Sequence, residues 1–143
     1  MHLGAAMISE LPGAVPEVPV SDVVAALEYY REKLGFTIDW YEAAIDLAGI
    51  SQDQCRLFLA GPAFREGCGN GSPVVIWLNL SSKREVDDLH GAWHSSSAMV
   101  LSGPESKPWG LHEFTAADPD GNRFRVFYDF ATPERGRAAA AAP

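Results

Sequence analysis

Residues 113–128, EFTAADPDGNRFRVFY, combine a tight turn with a strand and decide how the end of this chain folds. Within the turn, proline fixes φ, Gly121 and Asn122 tolerate a positive φ, and the aspartates can bond the local backbone. After the turn two sets of side chains alternate, Arg123, Arg125 and Phe127 on one face and Phe124, Val126 and Tyr128 on the other. The stretch therefore predicts two strands joined by the DPDGN turn.

The composition is typical of one globular domain and argues against nucleic acid as a partner. The chain has 143 residues, of which 47% are hydrophobic, and its formal net charge is −8. The acidic balance opposes binding to a polyanion and favours cationic ligands. No apolar run is long enough to span a bilayer, and the N-terminus lacks the basic segment of a secretory signal. We therefore expect a cytoplasmic protein without a membrane partner.

Two similar halves follow one another along the chain. The first has a helix over SDVVAALEYYREKLG, capped by Ser21 or Asp22, and then three strand-like pieces, FTIDWYE, IDLAGIS and QCRLFLA. The second has an apolar strand over 74–80, a helix with Ser82 and Glu85 as its capping box, and three further strands. The sequence thus predicts an α+β fold in which each half reads βαβββ.

These patterns also suggest boundaries. We expect residues 1–13 to form an N-terminal extension, 14–130 a single domain, and 131–143 a disordered tail of low complexity. The two halves span about 14–61 and 74–130, and a Gly-rich loop over 61–73 joins them. Cys55 and Cys68 are too few for a disulfide framework or a cysteine metal site, and Cys55 is expected in the core.

No set of residues has the spacing of a familiar reactive site. His90 and His94 lie four residues apart on a helix, but they lack the glutamate of a zinc-peptidase motif and a third ligand. His112 beside Glu113 is weak evidence for an acid–base pair. Serine-nucleophile and phosphate-binding motifs are missing from the sequence. We therefore expect no catalytic residues.

The tryptophans are the strongest candidates for ligand contact. Trp109 lies in SKPWGLHEF, where a large aromatic in a loop is more typical of binding than of packing. Trp77 fits core packing and ligand contact equally well. Trp40 and Tyr41 occupy the strand after the first helix, beside Asp39.

The order of these segments resembles that of the bleomycin resistance proteins, a branch of the vicinal oxygen chelate superfamily that also includes glyoxalase I and extradiol dioxygenases. The resemblance covers roughly residues 14–130 and rests on AVPEVPVSDVVAALEYYREKLGFTIDW, LAGIS, LFLA, WLNL, KPWG, EF and DPDGN. It implies that each βαβββ module forms a curved mixed sheet and that paired modules enclose a cavity. It also implies a homodimer that exchanges an N-terminal strand near Pro16.

The resemblance further implies where a metal would be held. Enzymes of the superfamily commonly place a glutamate three residues after the asparagine of the turn, and here that residue is Arg125, which has no lone pair to donate. The other positions fall near Val15, near Val75 and within Leu57–Leu59, with Glu17 as a nearby carboxylate. Such residues make no site for iron, zinc, nickel or manganese, so we expect neither metal nor cofactor.

Residues and resemblance together favour a protein that sequesters a large, planar, cationic drug such as bleomycin in clefts between subunits, without chemistry. The implied ligand-binding residues are Trp109, Trp77, Trp40, Asp39, Tyr41 and Gly110. Aromatic rings suit a planar guest, and Asp39, Glu42 and Asp46 would attract its charge. One alternative is an enzyme of the same superfamily that acts on a small oxygenated substrate through His112, Glu113 or Glu17. Another is a module whose aromatic face binds a protein.

Overall fold

The computed structural model describes residues 10–67 and 71–132, and it contains both predicted halves. The first half consists of strand β1 (Glu17–Pro19), helix α1 (Val23–Glu32) and strands β2 (Thr37–Glu42), β3 (Leu47–Gln52) and β4 (Cys55–Ala60). A short helix, α2 (Pro62–Arg65), follows. The second half consists of β5 (Val75–Asn79), α3 (Lys83–Ser95), β6 (Met99–Ser106), β7 (Leu111–Ala117) and β8 (Arg123–Asp129). The predicted α+β fold with two βαβββ modules is confirmed.

Three expectations fall wholly or partly beyond the described residues. The structure does not describe 1–9, which make up most of the expected extension, nor Cys68, nor the tail from 133 onward. In the part that it does describe, no helix has the length and apolar character needed to cross a bilayer.

Each module forms a four-stranded mixed sheet, and the two sheets have equivalent strand orders, β1-β4-β3-β2 and β5-β8-β7-β6. The first strand of each module runs parallel to the last, and the other pairs are antiparallel. Strand β1 pairs with β4 of its own chain, from Glu17 opposite Phe58 to Pro19 opposite Ala60. The exchange of this strand between subunits therefore stays a prediction.

Both long helices begin at the predicted caps. The carboxylate of Asp22 accepts a hydrogen bond from the backbone N–H of Ala25 at 3.1 Å. The hydroxyl of Ser82 likewise accepts from the N–H of Glu85 at 3.1 Å. The Glu85 carboxylate accepts from the N–H of Ser81 at 2.9 Å, one residue before the cap. These bonds satisfy N–H groups that a helix leaves without partners at its start.

Helix α2 lies where the sequence predicted only a loop. Its Ala63 N–H donates to the Asp46 carboxylate at 3.0 Å, and the Arg65 guanidinium donates to the carbonyls of Ala60 and Val20 at 3.0 and 3.1 Å. Two of these partners are distant in the chain, so the local sequence gives little sign of the helix.

One core serves both modules. The cluster of buried side chains includes residues from both sheets and both long helices, among them Tyr30, Leu57, Trp93 and Phe124. The rings of Tyr30 and Trp93 both pack edge-on against Phe124 with centroids 6.0 Å apart. Trp93 also donates from Nε1 to the carbonyl of Leu34 at 3.0 Å. The helix-covered faces of the two sheets therefore pack into a single interior.

The DPDGN turn is held by its own side chains. The carboxylate of Asp118 accepts hydrogen bonds from the backbone N–H groups of Asp120 and Asn122 at 2.9 and 3.0 Å, as the sequence predicted. Gly121 adopts a φ of 86°, which favours glycine, whereas Asn122 does not need the positive φ that it could tolerate.

The same turn connects elements that are far apart in sequence. The Asn122 amide donates to the Pro19 carbonyl at 2.8 Å and accepts from the Val74 N–H at 2.9 Å. The Tyr30 hydroxyl donates to Asp118 at 2.7 Å. Burial of the ring, followed by the nearby Asp118 carboxylate, raises the pKa of Tyr30 well above its ordinary value. The turn thus joins β8 to β1, α1 and the start of β5.

Candidate functional site

Each sheet has an open face, which is the side turned away from the helices. The open face of the second sheet is formed by Trp77, Glu113, Thr115, Arg125 and Phe127, and we call it the second open face. Trp77 and Thr115 both lie opposite Arg125 on neighbouring strands, so the three side chains form a row across the sheet. The Arg125 guanidinium carbon lies 5.5 Å from the Trp77 ring centre, and its Nη1 lies 3.4 Å from the Thr115 hydroxyl oxygen.

Arg125 is half-buried in the middle of this row and forms no ion pair with any described residue. Trp77 is 51% exposed and packs edge-on against Phe127 at 5.5 Å. Trp77 is therefore not a residue of the core, and contact with a ligand stays a prediction. An aromatic ring beside a guanidinium without an ion-pair partner offers a ligand both a stacking surface and the N–H donors that Thr115 does not use.

The loop between β6 and β7 adds Trp109 to this face. Its Nε1 donates to the buried Glu113 carboxylate at 3.3 Å, and the Lys107 ammonium lies 5.8 Å from its ring centre. The residue itself remains 64% exposed. Gly110 is buried with a φ of 91°, and a Cβ there would lie 2.4 Å from that of Ala131. Gly110 therefore sets the course of the loop, while its contact with a ligand stays a prediction.

The first open face belongs to the other sheet and is formed by Glu17, Asp39, Trp40, Gly49 and Phe58. Strand β2 contains a β-bulge, because its register against β3 shifts between Ile38 and Trp40. The extra residue brings Asp39 and Trp40 to the same face. The Asp39 carboxylate accepts from the Ser51 hydroxyl at 3.0 Å, which fixes it beside the indole.

Trp40 lies over a glycine. A Cβ on Gly49 would come within 2.4 Å of the indole Nε1, so only glycine leaves room for the ring in this position. The indole also packs edge-on against Phe58 at 5.3 Å and remains 37% exposed. Tyr41 pairs with Ala48, whose side chain is in the core, so Tyr41 points to the opposite side of the sheet. The structure brings Trp40 and Asp39 together, but not Tyr41.

The two open faces do not meet within one chain. The helix-covered faces of the two sheets pack into one core, and this core lies between the first open face and the second. Trp40 and Asp39 therefore lie on one side of the molecule, and Trp77 and Trp109 on another. A cleft lined by all four residues needs a second copy of the chain.

The positions that the resemblance marks for a metal hold side chains that do not fit one. Leu57 and Leu59 are fully buried towards the helices, and Phe58 between them faces the open side. Val75 lies half-exposed on the second sheet, and Arg125 occupies the last strand. Across 10–67 and 71–132, no three His, Cys, Asp or Glu side chains are grouped closely enough to hold a metal ion. Phenyl, aliphatic and guanidinium groups are not metal ligands.

The suggested pairing of His112 with Glu113 is wrong, because consecutive strand residues point to opposite faces. Glu113 lies on the second open face. The ring of His112 lies on the helix side, where Nδ1 is 2.9 Å from Ser106 Oγ and Nε2 is 2.8 Å from Asp87 Oδ1. The sequence did not indicate this chain of contacts, since its members come from β6, β7 and α3.

His90 and His94 stack on one another rather than converging on a common point. Their ring centroids are 5.8 Å apart with an interplanar angle of 9°, and His90 packs edge-on against Phe114 at 5.3 Å. His90 therefore lies at the edge of the core, whereas His94 is exposed.

Four members of the open faces had no functional role predicted from the sequence: Gly49, Phe58, Thr115 and Phe127. For Phe127 a signal was present, because it alternates in phase with Arg125 along β8. Phe58 and Thr115 become recognisable only from their cross-strand partners, Glu17 and Arg125.

Comparison with known proteins agrees with this architecture. Residues 13–126 match the family model described as the Glyoxalase/Bleomycin resistance protein/Dioxygenase superfamily. Bleomycin resistance proteins from Geobacillus stearothermophilus and Staphylococcus aureus are each 23% identical over 124 residues, which cover 80% of this chain and 94% of theirs.

Solved structures share the fold at lower identity. A glyoxalase/bleomycin resistance protein/dioxygenase from Nocardioides has a TM-score of 0.69 at 21% identity, covering 88% of this chain and 89% of that one. TioX from Micromonospora sp. ML1 has a TM-score of 0.67 at 16% identity, covering 82% and 98%. Lactoylglutathione lyase from Agrobacterium tumefaciens has a TM-score of 0.67 at 17% identity, covering 83% and 95%. The fold alone does not select one function among them.

Proposed function

Because the chain belongs to the glyoxalase/bleomycin resistance protein/dioxygenase superfamily, we propose that it binds a large, planar, cationic compound of the bleomycin kind and leaves it chemically unchanged. The observation that carries the proposal is the pair of open faces. Each of them presents a partly exposed tryptophan beside a position that the resemblance marks for a metal ligand, Phe58 on the first face and Arg125 on the second. Sequestration requires only tight binding, so it needs neither a metal nor a base.

The second open face supplies the stacking surface. The indoles of Trp77 and Trp109 lie on the same side of the sheet, and Phe127 supports Trp77 from one edge. A planar ring system placed on such indoles gains on the order of 1 kcal/mol per contact beyond the burial of its area. In this proposal Trp109 closes over the guest, because it is the most exposed of the three rings.

Charge then orients the guest. Asp39 and Glu17 lie on the first open face, so the cationic end of the ligand would turn towards them. Arg125 on the second open face would repel a cation but binds oxygen acceptors, such as the amide carbonyls of a peptide-like drug. Asp46 contributes less than its charge suggests, because its carboxylate already accepts the N–H of Ala63.

A homodimer would complete the cleft. The first open face of one copy would lie against the second open face of its partner, bringing Trp40 and Asp39 opposite Trp77 and Trp109. The charges support this pairing, since the acidic first face would meet Arg125. Pro16 precedes β1 and would be the hinge if that strand were exchanged between copies.

Calorimetric titration with bleomycin tests the proposal. We expect saturation at about one drug per cleft, and a loss of about fivefold to tenfold in affinity for Trp109→Ala, which removes a contact of roughly 1 kcal/mol or more. Trp109→Phe keeps a flat ring and should lose less. Val24→Ala, on the exposed side of α1, is the control and should bind as the unmodified protein does. Absence of any binding heat from a correctly folded protein would exclude bleomycin as the ligand.

An enzyme of the same superfamily is the second candidate, and the buried Glu113 carboxylate favours it. This group lies on the second open face, with the Trp109 indole as its hydrogen-bond donor, so it could act as a base towards a bound substrate. Metal analysis of protein purified without chelators separates the two candidates. Stoichiometric metal, or turnover that Glu113→Gln abolishes, would favour the enzyme.

A further inference from the structure

A groove between the two modules has no part in the proposed function. It has a volume of about 600 Å³ and lies among the turn that joins β3 to β4, the edge of β5 and the side of α3 that carries Glu85, Leu89 and Trp93. It borders the second open face only at Trp77. Its size falls within the range of about 300–1,000 Å³ that is usual for small-molecule sites.

The groove exposes apolar surface that the core does not cover. Phe36 and Trp93 form its floor and are buried, whereas Leu80, Leu89 and Cys55 pack against the core yet remain partly open. An apolar or aromatic group placed here would remove this surface from water, which is the main source of affinity in such sites.

The charges at the rim are all of one sign. Among the described residues that line the groove, the only charged side chains are those of Asp53 and Glu85. One oxygen of Glu85 accepts the Ser81 N–H, which leaves the other free for a ligand. Burial raises the pKa of the Cys55 thiol, so this group adds no negative charge at neutral pH. The rim therefore attracts a cation.

The backbone of β5 adds further acceptors. The Leu80 N–H donates to the Phe127 carbonyl at 2.8 Å, so this residue turns its backbone groups towards β8. Backbone direction alternates along a strand, and the carbonyls of Trp77 and Asn79 consequently point to the opposite edge. In the described part of the sheet β5 is the edge strand, so these carbonyls are open to a donor.

We propose that this groove binds an organic cation, in which a protonated amine or guanidine is joined to an apolar and preferably aromatic body. The body would lie on Leu80, Leu89 and Cys55, above the buried rings of Phe36 and Trp93, and the charged head would donate to Asp53, Glu85 and the β5 carbonyls. The site is complete within one chain. Binding in this groove therefore does not depend on dimer formation or on the proposed cleft.

Three matched probes test this assignment: naphthylmethylamine, the neutral naphthalenemethanol and the anionic naphthoate. Binding is measured by calorimetry and by protection of Cys55 from iodoacetamide, in a Cys68→Ser background so that Cys55 is the only thiol. We expect the amine to bind at least about tenfold more tightly than the alcohol, as one charge-assisted hydrogen bond allows. It should also slow alkylation of Cys55, and naphthoate should bind most weakly.

The double variant Asp53→Asn/Glu85→Gln removes the charge and keeps the geometry. Asparagine tolerates the positive φ of position 53, and glutamine still accepts from the Ser81 N–H. It should abolish the preference for the amine, whereas Glu28→Gln/Asp88→Asn, which removes two exposed charges elsewhere, should retain it. Trp109→Ala should leave protection of Cys55 unchanged even where it weakens bleomycin binding. Equal binding of amine and alcohol, a preference that survives in the double variant, or no probe binding at all would overturn the proposal.

Discussion

Asn122 is fully buried, and every polar atom of its side chain has a partner. Those partners lie on β1, at the start of β5 and in the turn itself. The sequence predicts the local part of this arrangement, because the DPDGN pattern specifies a turn. It does not predict the long-range part, since Pro19 is 103 positions away and nothing near it in the chain indicates the contact.

Replacing Asn122 with alanine should therefore destabilise the fold well beyond the loss of a surface turn. The variant leaves the Pro19 carbonyl and the Val74 N–H without partners, and we expect the free energy of unfolding to fall by roughly 3 kcal/mol. Urea denaturation measures this. Asp120→Ala is the control, because it removes a single exposed bond to the Ser21 N–H and should cost about 1 kcal/mol or less. Equal losses in the two variants would contradict the anchoring role.

Tyr30 should make the protein sensitive to alkaline pH. Burial and the adjacent Asp118 raise its pKa in the folded state, so the folded protein holds this proton more tightly than the unfolded chain. The contribution of this group to the free energy of unfolding is fully present below about pH 10. Above that pH it decreases, by up to about 1.4 kcal/mol per pH unit. Unfolding free energies measured from about pH 9 to about pH 11 should lack this fall in Tyr30→Phe.

The comparison variant for this titration is Tyr29→Phe. Tyr29 is only half-buried, and its raised pKa has the same main cause, so its removal should preserve most of the slope. A slope that is unchanged in Tyr30→Phe would mean that another group titrates with unfolding in this range.

Among the elements, the helices were the easiest to predict and β2 the hardest. The caps of α1 and α3 use side chains beside the helix, so a short stretch of sequence contains the whole signal. Strict alternation in FTIDWYE would place Ile38 and Trp40 on the same face. The bulge separates them, with Ile38 against the core and Trp40 over Gly49. Only the pairing with β3 reveals this extra residue.

The cap of α3 gives a prediction at this scale. Ser82→Ala removes the acceptor for the Glu85 N–H and should lower the free energy of unfolding by about 1 kcal/mol. Ser81→Ala is the matched control, because only the backbone of Ser81 takes part in the cap, and it should have an effect of about 0.5 kcal/mol or less. Denaturant titration of both variants against the unmodified protein gives the comparison.

For the whole molecule, the sequence identified most of the aromatic residues but not their arrangement. Trp109, Trp77 and Trp40 were selected by residue type and local context. That they divide between two separated faces follows from the shared core, which no local pattern encodes. This division is why the proposed cleft depends on two copies of the chain.

The proposed dimer leads to a test of its own. Val75 is half-exposed and lies two residues before Trp77 on β5, so it is on the same side of the sheet as the second open face, and Val75→Lys would place a charge in the contact between copies. We expect the unmodified protein to sediment as a dimer and Val75→Lys to shift towards the monomer at equal concentration. Val24→Lys changes a similarly exposed valine on α1 and should remain dimeric. A protein that is monomeric at every concentration would rule out a cleft between copies.

The interior shared by the two modules also limits how such a chain could have arisen. A half-length polypeptide with one sheet and one helix would lose the contact of Tyr30 with Phe124 or the hydrogen bond of Trp93 to the Leu34 carbonyl, so it would expose part of this interior and would not persist as a solitary folded unit. Two identical half-length chains could have buried these side chains by packing against each other. Fusion of a duplicated gene would then have made permanent a partnership that had previously depended on concentration.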